Sequence, residues 1–263
     1  MSNTVNVENR GAYVVITINR PQVMNALDPA THQALADALD AFEANSEQLV
    51  AIVTAAGTKA FCAGGDISTM VDAQTEDDYV IPSSGYGGMT NRQSSKPIIA
   101  AVNGLAYGGG FEMVLAADLA VASDSATFGL PEPRIGTAAV AGGLHRLPRI
   151  IGMKRALHMQ LTCQSIDANT ALEWGIINEV VAPENVLTSA IALAEDILRS
   201  APLAIKAIME ASKAGMAYPD EFAAIDAQAN GAFKSIHIML ASEDIREGLR
   251  AFMEKRRPVW KNK

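Results

Sequence analysis

Cysteine, histidine and aromatic residues are all scarce in this chain of 263 residues, and each scarcity narrows what it does. Two cysteines, Cys62 and Cys163, give neither a disulfide framework nor a metal-ligand spacing. His32, His145, His158 and His237 are scattered, with no His-Glu-x-x-His pattern, so no metal site is expected. Positive charge is also short: 21 Lys and Arg stand against 29 Asp and Glu, for a net charge of −8. That balance argues against a nucleic-acid-binding protein whose affinity comes from phosphate neutralisation. Long apolar runs are missing too. The longest uncharged stretch, Pro97 to Phe111, is too short and too rich in glycine to span a bilayer. The first ten residues lack the apolar core of a signal peptide. The expectation is a soluble, cytoplasmic protein with no membrane partner.

What remains is an ordinary globular composition, 49% hydrophobic and 19% charged. A chain of this length buries about three quarters of its unfolded surface and needs no staples. Val14, Ile16 and Ile18 alternate with Val15, Thr17 and Asn19, a strand pattern closed by Arg20-Pro21. Asp28 before Pro29 supplies an N-cap and an N1 proline for a helix through about Glu43, with Leu35, Leu39 and Phe42 on its apolar face. Strands are expected at Val50–Thr54, Pro97–Val102, Leu119–Ala122 and Thr127–Phe128, with a helix from Gly108-Gly109-Gly110 to about Ala117. Residues 71–95 show no sustained period and are expected to form a surface loop. Strand, glycine-bearing loop and helix recur over the first two thirds, which indicates an α/β layer structure. From about Asp167 the pattern is mainly helical, broken by an apolar strand at Ile176–Val181. Pro202 opens one late helix, and Ser242 caps the last, which stops before Pro258.

Three segments carry candidate chemistry. Ala101-Val-Asn-Gly-Leu-Ala-Tyr-Gly-Gly-Gly-Phe-Glu112 places a carboxylate in the first turn of a glycine-opened helix. Phe128-Gly-Leu-Pro-Glu132 places a second after a turn, and Phe61-Cys-Ala-Gly-Gly-Asp-Ile67 lies upstream. The glycine run lacks dinucleotide spacing and a P-loop lysine. Unpaired N–H groups at a helix start suit a developing negative oxygen. Glu112, three residues after Gly109, stands on the same helical face. Taken singly, Glu112 is better explained by the helix dipole than by catalysis, and Glu132 by an unremarkable turn; it is their occurrence together with Ala63-Gly64-Gly65-Asp66 that points to chemistry. The C-terminus is basic, with Arg246, Arg250, Lys255, Arg256, Arg257, Lys261 and Lys263 against Glu247 and Glu254. That charge either complements a helix end or attracts a polyphosphate ligand.

In combination the segments resemble the enoyl-CoA hydratase/isomerase (crotonase) superfamily. The likeness runs from Ile18-Asn19-Arg20-Pro21 and Asn25-Ala26-Leu27 to Phe252-Met253-Glu254-Lys255-Arg256. The resemblance implies an α/β, crotonase-like spiral of repeated ββα units over residues 1–199, carrying the acyl-CoA site. A helical region over residues 200–263 would serve trimerisation and complete the CoA site. It implies an acyl-CoA thioester substrate, no cofactor beyond the CoA that the substrate carries, and a homotrimer or dimer of trimers. Position by position, Glu112 and Glu132 match the catalytic pair of the hydratases, and Ala63 and Gly109 the oxyanion-hole residues. Asn25, Ala26, Leu27, Gly64, Gly65, Asp66 and Ile67 fall at the CoA and substrate site, and Phe252 and Lys255 at late positions that complete it. The implied reaction is reversible hydration of 2-enoyl-CoA to 3-hydroxyacyl-CoA, within fatty acid metabolism.

One departure stands out. Many hydratases of the superfamily carry Pro-Gly-Ala-Gly-Gly where this chain has Ala139-Val140-Ala141-Gly142-Gly143, so Val140 either narrows the pocket or simply packs. The C-terminal stretch is similar to that of carnitinyl-CoA dehydratases. The alternatives are therefore a specialised dehydratase of that kind, a double-bond isomerase, or a silent acyl-CoA-binding protein.

Overall fold

Alternating and continuous apolar runs in the first part of the chain build two sheets that the backbone visits in turn. The computed structural model describes residues 4–69, 71 and 81–263. Among these, β1 (Val5–Arg10) and β2 (Tyr13–Ile18) form an antiparallel hairpin. Asp28 then caps α1 (Pro29–Ala44) by accepting from Thr31 N–H. That helix buries Leu35, Leu39 and Phe42, each contributing about 1.5–3 kcal/mol by leaving water. β3 (Val50–Ala55) lies fully buried and parallel to β2, and β4 (Ala60–Cys62) leaves it for a second sheet. β5 (Ile98–Val102) returns to the first sheet, and β6 (Leu105–Tyr107) returns to the second, leading into α2 (Gly109–Ala116). β7 (Leu119–Ser123) and β8 (Thr127–Gly129) repeat the excursion. This alternation is the spiral of strand pairs and helices.

The larger sheet has the order β1-β2-β3-β5-β7-β10, the last being β10 (Glu179–Val181), and is parallel beyond the first hairpin. The smaller is β4-β6-β8-β9, closed by the short antiparallel β9 (Ile166–Asp167). Parallel strands buried on both faces explain why Val50–Ala55 and Ile98–Val102 read as continuous apolar runs. α3 (Gly143–Ile151), α4 (Met153–Thr162), α5 (Ala168–Glu173) and α6 (Val186–Ile197) follow.

Two expectations change. The strand foreseen at Ile176–Val181 is confined to Glu179–Val181, because Trp174 and Gly175 form the C-cap of α5 and Ile176 N–H returns to the Ala171 carbonyl. Of residues 71–95, residues 72–80 lie outside the described part, but Tyr86 to Thr90 are buried rather than a surface loop. A short 3-10 turn, Tyr86–Gly88, is fixed there by Gly87 N–H donating to His32 Nδ1 at 3.0 Å. Burial pushes His32 down to about 4, so it stays neutral and accepts that bond.

The chain divides into two compact units, residues 1–194 and 195–263, with the division inside α6 rather than after it. The second unit holds α7 (Pro202–Gly215), α8 (Glu221–Ala229), α9 (Lys234–Ala241) and α10 (Glu243–Met253). Ser242 caps α10 by accepting from Ile245 N–H. Arg256 forms an ion pair with Glu247 at 2.6 Å. Lys261 forms one with Glu243 at 3.2 Å, so part of the basic tail is spent inside this unit.

Candidate active site

Backbone donors come first. At Gly64, φ is +101°, a conformation open to glycine, and it redirects the chain after β4. Ala63 N–H donates to the Met24 carbonyl at 3.1 Å. It is therefore not available to a substrate oxygen, and Ala63 drops out as an oxyanion donor. Leu27 N–H donates to Gly64 O, and Asp66 N–H donates to Leu27 O, both at 2.9 Å, forming a one-residue parallel bridge between Leu27 and Gly65. In such a bridge the central residue's own N–H points away from its partner. Gly65 N–H thus faces the side where β4 pairs with β6, the strand leading into α2. On that side, a Cβ on Gly64 would lie 3.7 Å from Gly109 N. Gly109 opens α2, where first-turn N–H groups lack helical partners. Among the described residues neither Gly65 N–H nor Gly109 N–H meets an acceptor.

The two carboxylates converge beside these donors but are held differently. Glu112, in the first turn of α2, is buried, and its Oε1 accepts from Gly143 N–H at 2.8 Å. Gly143 begins α3, so the carboxylate sits at a second helix N-terminus. Burial pushes Glu112 up to about 7, and the nearby charge of Glu132 adds to this. The Gly143 and Ala141 N–H groups and the Arg146 guanidinium oppose the rise. Glu132 opens a short turn, Glu132–Ile135, after β8. Its Oε1 would stand 3.2 Å from a Cβ on Gly108, which puts it over the start of α2. Its Oε2 is buried with no hydrogen-bond partner among the described residues. Burial raises its pKa as well.

A cavity of 630 Å³ opens next to Glu112, lined by Tyr86, Thr90, Val140, Ala141, Gly142 and Arg146 among others. Val140 is 76% exposed and faces this cavity, so it is not a packing residue of the core. Arg146 Nη2 donates to the Thr90 carbonyl at 2.6 Å.

The Asn25–Leu27 and Ala63–Ile67 segments are brought together, but not all their side chains are free. Asn25 is buried with φ +55°, donates to the carbonyls of Ala56 and Ala60, and accepts from Arg20 N–H. Its side chain is thus a clamp between loops, and only its backbone can face a ligand. Arg20 bridges Asp28 at 3.0 Å and Asp66 at 2.9 Å, and the Ser68 and Arg20 hydrogen bonds lower the Asp66 pKa. Ile67 is exposed. Phe252 and Lys255 belong to the second unit, exposed at the end of α10, Lys255 with φ +52°. Three residues were not foreseen. Gly143, whose N–H holds Glu112, is signalled only by the glycine pair that opens α3; Arg146 and Tyr86 carry no local pattern.

Residues 8–263 match the enoyl-CoA hydratase/isomerase family. The carnitinyl-CoA dehydratase of Citrobacter koseri is 39% identical over the whole of both chains. An enoyl-CoA hydratase from Bacillus anthracis superposes with a TM-score of 0.92 at 33% identity, covering 99% of this chain and 100% of the other. A probable enoyl-CoA hydratase/isomerase from Mycobacterium abscessus gives 0.89 at 40% identity over the full length of both. The chain belongs to the enoyl-CoA hydratase/isomerase family and has the crotonase fold. It is an enzyme of the hydratase/dehydratase kind. Among the described residues no helix is long and apolar enough to cross a membrane.

Proposed function

We propose that this protein catalyses the reversible addition of water to 2-enoyl-CoA thioesters. The observation that carries the proposal is the pair of inward-facing carboxylates, Glu112 and Glu132, beside two backbone N–H groups without acceptors. Gly65 and Gly109 hold the thioester oxygen. Loss of one such donor typically costs ~100- to 1,000-fold in rate. Glu112, whose negative form is supported by the Gly143 N–H and the charge of Arg146, takes a proton from water as the oxygen bonds to C3. The C2–C3 π pair moves toward the carbonyl, placing charge on the thioester oxygen. Glu132, buried without a donor on Oε2, carries the second proton and delivers it to C2 as the carbonyl re-forms. In reverse, the same groups remove water from a 3-hydroxyacyl thioester. Two carboxyls this close share their titration, so these roles describe the dominant arrangement of one proton between them.

Full-length similarity to carnitinyl-CoA dehydratases favours a second reading, dehydration of a trimethylammonium-bearing acyl group. A quaternary cation is held by aromatic faces or carboxylates. The described lining of the 630 Å³ cavity offers one phenol, Tyr86, and one imidazole, His145, but no carboxylate, while Arg146 and Arg149 both contribute to it. A plain acyl chain fits that lining better. The test is the enoyl-thioester absorbance on mixing enzyme with 2-enoyl-CoAs of increasing length, beside carnitinyl-CoA in the dehydration direction. Rapid loss, absent in Glu112→Gln and Glu132→Gln, supports hydration; turnover of carnitinyl-CoA alone moves the assignment to the second reading. The CoA portion is assigned to the Asn25–Leu27 and Gly64–Ile67 segments. A homotrimer or dimer of trimers is the assembly we expect, given the exposed Phe222, Ile225, Leu249 and Met253 of the second unit. Mass by light scattering tests it.

A further inference from the structure

Among the described residues Tyr86 is the one phenol lining the cavity, and its buried hydroxyl meets no acceptor within hydrogen-bond distance. Several contacts fix its ring. Tyr86 N–H donates to Thr90 Oγ1 at 2.8 Å, and His32 packs against the ring edge-on at 4.4 Å. On another side the ring lies against Gly109, where any Cβ would collide with it. A phenol held this tightly at the start of α2 is not a mobile surface group. Its titratable neighbours are Glu112, Glu132 and the buried Cys62 thiol, which burial pushes up to about 12 and which is a weak acceptor. A buried donor left unpaired costs about 1–3 kcal/mol, so its retention calls for an acceptor that the site itself brings.

The same site holds an unpaired acceptor, Glu132 Oε2. An oxygen placed among these groups completes both. A water molecule has two protons to donate, one toward Glu112 and one toward Glu132, and two lone pairs. If one lone pair accepts from a phenol, the other is left to face carbon. We propose that the Tyr86 hydroxyl donates a hydrogen bond to the oxygen that is added to or removed from C3, and thereby aims its reacting lone pair. This rests on the hydration reading above. Burial and the neighbouring negative groups hold the phenol protonated throughout, so Tyr86 donates a hydrogen bond but transfers no proton. In the hydration direction the bond orients the nucleophile. In the dehydration direction it stabilises the departing hydroxide before Glu112 returns its proton.

The test is Tyr86→Phe, which keeps the ring against Gly109 and His32 and removes only the hydroxyl. Two reactions are followed in wild type and variant: hydration of a short 2-enoyl-CoA, and deuterium exchange at C2 of the matching saturated acyl-CoA. Exchange needs the oxyanion donors and a glutamate but no oxygen at C3. The expected result is a roughly 10- to 100-fold fall in hydration kcat, the size of one lost hydrogen bond to a charged oxygen, with KM within about threefold and exchange unchanged. Hydration within about twofold of wild type overturns the role of Tyr86 while leaving the hydratase reading intact. Hydration and exchange falling together also overturns it, because the ring would then be supporting the site rather than the oxygen. A wild-type enzyme that exchanges but does not hydrate overturns the hydratase reading itself, and the assignment of Tyr86 with it.

Discussion

Glu112 and Glu132 are the same residue type in one site, yet the fold treats them in opposite ways. Glu112 rides on a full helix and receives a backbone N–H from the start of another, with a guanidinium nearby. Glu132 stands on a four-residue turn and leaves one buried oxygen without a donor. Burial raises both carboxyls, Glu112 to about 7, and only at Glu112 do a neighbouring helix start and a guanidinium oppose the rise, which is the basis for proposing it as the base and Glu132 as the acid. The difference lies in what surrounds each carboxylate rather than in the carboxylates themselves.

Substitution of the glutamates tests that asymmetry most severely. Glu112→Gln and Glu132→Gln are each expected to lower hydration about 100- to 10,000-fold, measured by loss of enoyl absorbance. Exchange of the C2 protons separates them: Glu132→Gln should abolish it, while Glu112→Gln should retain most of it. Equal loss of exchange in both variants would erase the distinction between the two. A smaller effect concerns pH. With Glu112 raised to about 7, hydration should fall as pH drops below about 7 and the base becomes protonated. Stability runs the other way. A carboxyl whose folded pKa is raised favours the fold while protonated, and that contribution is lost as pH rises through about 7. The wild-type melting temperature should therefore decline between about pH 4.5 and pH 7 more than that of Glu112→Gln, with the two running parallel above pH 7. Subtler still, Glu132→Gln removes a neighbouring negative charge and should shift the Glu112 midpoint downward, readable by carboxyl-labelled NMR. The smallest effect on catalysis is expected for Asn25→Ala. It strips the Ala56 carbonyl of its side-chain donor and leaves Ala60 only the longer bond from Asn103, and should cost about 1–3 kcal/mol in chemical denaturation, with kcat within about tenfold.

Much of this was legible in the chain. Asp28-Pro29, Ser242 and the apolar runs at Val50 and Ile98 place helices and strands because caps and buried parallel strands leave local marks. The two glutamates and Gly109 were legible for the same reason, since a helix start is a local event. The second donor proposed for the thioester oxygen was not. Which of three consecutive N–H groups turns inward depends on Met24 and Leu27, nearly forty residues upstream, and those contacts spend Ala63 and free Gly65. Tyr86 was hidden likewise. Its segment has no period of its own and is ordered by His32, Thr90 and Gly109 from other elements. Asn25 looks like a ligand contact in sequence, but its left-handed backbone and three hydrogen bonds make it a fastener.

The bridge between Leu27 and Gly65 also ties the donor proposed for the thioester oxygen to a second segment of the site. One end is the Asn25–Leu27 segment, where the nucleotide portion of a thioester would rest; the other is the N–H that meets the carbonyl. Three hydrogen bonds join the ends, from Ala63, Leu27 and Asp66. A grip on the far end therefore sets the angle of the donor at the near end. A thioester cut down to its pantetheine arm would then lose turnover as well as affinity, because part of its binding energy aligns the catalyst.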